Sequence, residues 1–123
     1  MSKILILIIE DEPDFADVLR IRLESSGFEV VTALDGYQGI KMAHQEKPDL
    51  IILDLMLPAG DGLSVLEKLK LAEHTRKIPV VVLTGMINEE YKAKVMEQGI
   101  EAYLQKPYDP DTLISIMNNV LNK

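Results

Sequence analysis

Asp54 stands inside an otherwise apolar run, Leu50 to Leu57, at the head of a Pro and Gly turn in the stretch LIILDLMLPAGDG. An ionised carboxylate is costly to bury alone, so Asp54 must be neutralised, paired or held where its segment meets solvent. Three other places offer groups that suit it: Glu10, Asp11 and Glu12 after ILILII, Thr84 and Gly85 after VVVL, and Lys106 and Pro107 after AYLQ. Brought together, the carboxylates repel, and a hard cation with oxygen ligands is the usual relief. Mg2+ suits one or two carboxylates plus a phosphate oxygen. Asp54 is then a candidate nucleophile toward a phosphoryl group, with the metal, Lys106 and the Thr84 hydroxyl neutralising charge on the equatorial oxygens. No glycine-rich phosphate loop of the GxGxxG or Walker kind is present, which argues against nucleotide binding by those routes.

The elements that must position these groups can be read from hydrophobic periodicity. Five runs rich in branched aliphatics, at 4–9, 29–32, 50–53, 80–83 and 102–105, predict strands, and ILILII and VVVL lack the polar alternation of half-exposed ones. Helical patterns lie between them. Phe15, Val18, Leu19 and Leu23 share one helical face, with Gly27 as a stop. Leu113, Ile116, Met117, Val120 and Leu121 share another, with Asp111 and Thr112 as cap candidates. Weaker helical patterns run over 36–45, 63–72 and 88–98. Five alternations make an α/β fold, (βα)5, a doubly wound parallel sheet with right-handed crossovers. Ligands of such sheets bind beyond the carboxyl ends of the strands, where the strand order reverses, and every candidate residue follows a strand.

With 123 residues, 47% hydrophobic and 27% charged, the chain is expected to form one domain over 1–123. Its 20 acidic residues against 13 basic give a net charge of -7, which argues against direct binding to nucleic acid or an anionic membrane. Cysteine is absent, so disulfides and thiolate metal sites are excluded. The longest apolar stretch, Ile4 to Ile9, is too short to span a bilayer, and a cytoplasmic location is the expectation.

Four segments, ILIIEDEPD, DLMLPAGDG, PVVVLTG and GIEAYLQKP, occur in the order and spacing of bacterial two-component response regulators, and the chain resembles their receiver domain over essentially its whole length. The resemblance implies the flavodoxin-like strand order 2-1-3-4-5. It implies that Asp54 is the phosphoacceptor, served by a histidine kinase or a histidine phosphotransfer protein, and that the domain promotes only its own phosphorylation and dephosphorylation. It further implies Glu10, Asp11, Asp54 and the Met56 carbonyl as Mg2+ ligands, Thr84 as a switch hydroxyl, Tyr103 as the aromatic that follows it, Lys106 as the phosphoryl-binding cation, and a cis Lys106-Pro107 bond. Output would pass to a downstream effector protein or a fused output domain. Glu10 departs from the commoner aspartate, and Met56 and Met86 stand where many relatives carry polar groups, so a slow loss of the phosphoryl group is expected. Relatives of the winged-helix class often dimerise through an Asp before the aromatic and an Arg in the last helix; Ala102 and the Arg-free run Leu113 to Leu121 favour a hetero-partner instead.

Taken singly, each group has an ordinary reading. Glu10 to Glu12 would be an acidic cluster at a helix start with Asp14 as its cap, Thr84 a turn residue, Lys106 a solvated lysine, and Tyr103 a packing aromatic. His44 and His74 read as surface residues. An aspartate-nucleophile phosphatase is the rival in another class, but such enzymes usually carry an acid two residues after the nucleophile, and here that residue is Met56.

Overall fold

The computed structural model describes residues 3–57, 62–85 and 87–122. Its elements are β1 (Leu5–Ile9), α1 (Pro13–Ser25), β2 (Glu29–Ala33), α2 (Gly36–Glu46), β3 (Leu50–Asp54), α3 (Gly62–Leu71), β4 (Val80–Thr84), α4 (Glu89–Met96), β5 (Ala102–Gln105) and α5 (Pro110–Leu121). All pairings are parallel and the order is β2-β1-β3-β4-β5, as expected.

Two cores follow from the two-residue period of the strands. Leu7, Ile9, Ile51, Leu53, Val80 and Val82 pack against Ala43 of α2, Leu66 and Leu69 of α3 and Val95 of α4. Ile6, Ile8, Leu50, Ile52, Val81 and Leu83 pack against Leu19 and Leu23 of α1 and Leu113 and Met117 of α5. Full burial of each large aliphatic contributes about 1.5–3 kcal/mol relative to leaving it exposed, so both sheet faces must be covered. β2 is an edge strand whose only fully buried residue is Ala33, which explains how Glu29 and Thr32 are tolerated there.

Local signals differ from expectation at three points. Val18, read as part of the buried face of α1, is 69% exposed; the buried residues of that helix are Ala16, Leu19 and Leu23. Asp14 lies within the first turn of α1 rather than capping it, because Glu12 occupies the N-cap and Pro13 starts the helix. The cap of α5 is Asp109, whose carboxylate accepts from the Asp111 N–H, so Asp111 and Thr112 fall inside the helix. Pro110 marks that start, since proline is favoured at the first helical position. Gly27 ends α1 as read, at φ 97°. Gly62 is required for another reason: a Cβ there would lie 2.3 Å from the Leu55 Cα, so only glycine lets α3 begin against the end of β3.

Candidate functional site

The strand register carries the candidate residues to one edge. Ile9 pairs with Leu53, Asp54 with Leu83, and Thr84 with Gln105, so Glu10, Asp54, Thr84 and Lys106 arrive at neighbouring strand ends. The backbone ties this edge together, with the Leu55 N–H donating to the Leu83 carbonyl at 3.2 Å and the Lys106 N–H to the Thr84 carbonyl at 2.7 Å. β1 connects to β2 on one side and pairs with β3 on the other, so the acidic edge lies where the order of strands reverses.

Asp54 is buried and paired. Its Oδ2 accepts from Lys106 Nζ at 2.8 Å and its Oδ1 from the Met56 N–H at 2.9 Å. Lys106 Nζ also donates to Glu10 Oε1 at 3.1 Å, and the other oxygen of Glu10 accepts from the Glu12 N–H at 3.1 Å. Carboxylate oxygens of Glu10, Asp11 and Asp54 all lie within 4.8 Å of one another. Three carboxylates thus face one ammonium, and negative charge is in excess. Burial, then the hydrogen bond and charge of Asp54, push Glu10 up to about 7, against the Glu12 N–H and Lys106, which favour its ionised form. Burial pulls Lys106 down, but its bonds to Asp54 and Glu10 and their charges outweigh this and leave it raised. Oxygen donors with unneutralised charge, held on three backbone positions, fit a hard divalent cation.

The remaining site residues are placed less completely. Thr84 is fully buried and, among the described residues, its Oγ1 has no hydrogen-bond partner, an unusual state for a buried hydroxyl. Tyr103 pairs with Val82 in the sheet and packs against the core on the α2, α3 and α4 side; Lys92 Nζ lies 5.0 Å from its ring centroid. Burial, then the charge of Glu89, raise its phenol. Met56 is 56% exposed beside Asp54, and Met86 lies outside the described residues, as do residues 58–61, where a Pro and Gly turn was expected. The Lys106-Pro107 bond is cis.

Sequence reading missed two aromatic neighbours. The Phe15 ring centroid sits 3.9 Å from Lys106 Nζ, and Tyr108 meets the Phe15 ring nearly perpendicular at 6.3 Å. Burial pushes the Tyr108 phenol up to about 12, so it stays neutral. Phe15 has the helical spacing of a core residue, and only the tertiary fold, which sets Lys106 over its ring, reveals the contact. His44 and His74, read as surface residues, are both exposed, but their rings meet edge to face at 6.4 Å, away from the acidic edge.

A parallel five-stranded sheet with an acidic centre at its switch point is a flavodoxin-like α/β module. The chain matches the response regulator receiver domain family over residues 6–118 and belongs to it. It is 40% identical over 118 residues to the DNA-binding dual master transcriptional regulator RpaA of Synechocystis sp., covering 96% of this chain and 49% of that protein. The chain thus spans about half the length of that relative. A CheY-like receiver domain protein from Methanospirillum hungatei has a similar structure, with TM-score 0.92 and 27% identity over 98% of this chain and 95% of that one. The receiver domain of a sensor histidine kinase from Pseudomonas aeruginosa, crystallised with a magnesium ion coordinated in its active-site cleft, gives TM-score 0.89 at 28% identity, over 99% of this chain and 100% of that one. The chain is a receiver domain of two-component signalling. Among the described residues, no helix is long and apolar enough to cross a membrane.

Proposed function

We propose that Asp54 is the phosphoacceptor of this receiver and that the chain, as one domain over residues 1–123, signals by switching a partner-binding surface. The observation that carries this is the Lys106 ammonium bridging Asp54 and Glu10 at 2.8 and 3.1 Å inside a cluster of three carboxylates. Asp54 Oδ attacks the phosphorus of a phosphohistidine protein or a small acyl phosphate. A P–O bond forms, the bond to the leaving nitrogen or oxygen breaks, and the leaving group keeps the electron pair. Lys106 meets the transferred oxygens, and the unpartnered Thr84 hydroxyl supplies a second donor to them.

Glu10, Asp11, Asp54 and the Met56 carbonyl are the proposed ligands of Mg2+, which would neutralise charge on the phosphoryl oxygens. The donor is a histidine kinase or histidine phosphotransfer protein, and the apolar groove of about 420 Å³ between Phe15, Val18, Lys106 and Tyr108 gives it a surface beside the acceptor. Output passes to an effector protein or fused output domain, with no direct grip on nucleic acid by this acidic chain, in the cytoplasm. Turnover of substrates is not part of the role: the chain promotes only its own phosphorylation and dephosphorylation. Pairing of Thr84 with the phosphoryl group would free space that Tyr103, two sheet positions back on the same face, can follow.

Acetyl phosphate with Mg2+ should add one phosphoryl mass to the intact protein, and excess EDTA should prevent it; labelling in EDTA would contradict the metal role. Apparent Mg2+ affinity should fall about tenfold between pH 8 and pH 6, because a proton on Glu10 competes below about 7. The sign for the metal-free fold is opposite. A carboxyl raised above its ordinary value stabilises the fold where it is protonated, below 4.5, and that contribution is lost as pH rises toward 7. Calorimetric titration with Mg2+ and unfolding curves across this range check both.

The phosphoryl group should be long-lived. Hydrolysis needs a water in line with the phosphorus, and the thioether of Met56 orients water poorly. Met56→Asn is expected to shorten the half-life about tenfold, the effect of about 1.4 kcal/mol in the barrier. An unchanged or longer half-life would contradict this role of Met56.

A further inference from the structure

We propose that Phe15 is a positioning residue for Lys106, seating the ammonium against the acidic pocket; this rests on the reading of Asp54 as phosphoacceptor. Three observations support it. Lys106 Nζ lies 3.9 Å from the Phe15 ring centroid while it donates to Asp54 Oδ2 at 2.8 Å and Glu10 Oε1 at 3.1 Å. The Lys106 side chain is still 26% exposed, so the carboxylates alone leave one flank open. The ring itself is held, packed against the core on the α1 and α5 side and braced at 79° by Tyr108.

The chemistry suits a cation that must change partners. An ammonium has three N–H groups, and two are taken by carboxylates here. An aromatic face attracts the remaining flank through its quadrupole without offering a competing oxygen or a fixed charge. A carboxylate in the same place would add negative charge to an already acidic pocket and repel the incoming phosphoryl group. An aliphatic side chain would cover the stem but give the charged head no direction. Phe15 is in the first turn of α1, and Pro13 at the helix start fixes where that turn begins, so the seat is built on a rigid element.

The test is a double-mutant cycle on labelling by acetyl phosphate in saturating Mg2+. Phe15→Leu should slow labelling about three- to thirtyfold, the range that cation–π contacts span, while Phe15→Tyr and Phe15→Trp keep the rate near wild type. In a Lys106→Ala background, Phe15→Leu should have no further effect. Should the Leu variant fold poorly, the wild-type protein still decides: ring-current shielding should move the Lys106 Hε proton resonances upfield, and unshifted resonances would overturn the proposal. Equal rates for Phe15→Leu and wild type, or an undiminished loss in the Lys106→Ala background, would also overturn it while leaving Asp54 as acceptor. A wild-type protein that takes no phosphoryl group overturns the proposed function itself.

Discussion

Asp54→Asn is expected to take up no phosphoryl group from acetyl phosphate and Mg2+ under conditions that label the wild type, a loss on the order of a thousandfold or more in rate. The substitution keeps the shape of the side chain. An asparagine carbonyl can still accept from the Met56 N–H, which Asp54 Oδ1 does at 2.9 Å, so the end of β3 keeps its local bond. The amide nitrogen then faces Lys106 Nζ, and two donors meet where a carboxylate oxygen accepted at 2.8 Å. Lys106 is left to Glu10. Because Asp54 raises Glu10 through a hydrogen bond and its charge, Glu10 in the variant should titrate below about 7, which carboxyl chemical shifts across a pH series will show. The fold should be retained, since one charge leaves an acidic cluster that has too many.

Lys106→Ala is the second large effect. Removing the ammonium strands Asp54 and Glu10, whose side chains are 6% and 3% exposed, with no cation between them. Breaking a buried pair from one side usually costs about 3–5 kcal/mol, and because Lys106 itself is partly exposed the expected loss in the metal-free protein is about 1–3 kcal/mol near neutral pH. Millimolar Mg2+ should recover most of it, since a bound cation stabilises only the folded state. Labelling by acetyl phosphate should slow about a hundred- to thousandfold, as for loss of one donor aimed at developing charge. Denaturant unfolding with and without Mg2+, alongside labelling rates, measures both. A variant as stable as wild type without metal would show that Lys106 does not hold the pocket together.

The fold was legible because both sheet faces are covered. ILILII and VVVL carry apolar side chains on both sides, a pattern that half-exposed strands do not show, and the structure buries β3 and β4 throughout. The same logic failed on α1. Val18 fits the helical period of Leu19 and Leu23, but it is exposed and borders the groove beside Lys106. The caps of α1 and α5 were misplaced by two or three residues because more than one acidic residue stands near each start, and periodicity does not say which of them adopts extended backbone. The acidic edge was legible because each of its residues ends a strand or stands just past one. Strand register does the rest, setting Asp54 opposite Leu83 and Thr84 opposite Gln105.

What surrounds the edge was not legible. Phe15, in the first turn of α1, and Lys106, just after β5, meet only in the tertiary fold, a contact between segments that no local pattern links. His44 and His74 meet in the same way, across α2 and the segment after α3. Glu10 read as a plain acid, and only its burial beside Asp54 lifts it to about 7.

The proposed function turns on the identity of the residue that receives the phosphoryl group. Wild-type protein labelled with acetyl phosphate and Mg2+ can be reduced with borohydride, which converts an aspartyl phosphate to homoserine, and then digested and sequenced by mass spectrometry. Homoserine is expected at position 54, and is lost when EDTA replaces Mg2+. Protein that gains phosphoryl mass with an unaltered Asp54, or with the group on His44 or His74, would contradict it.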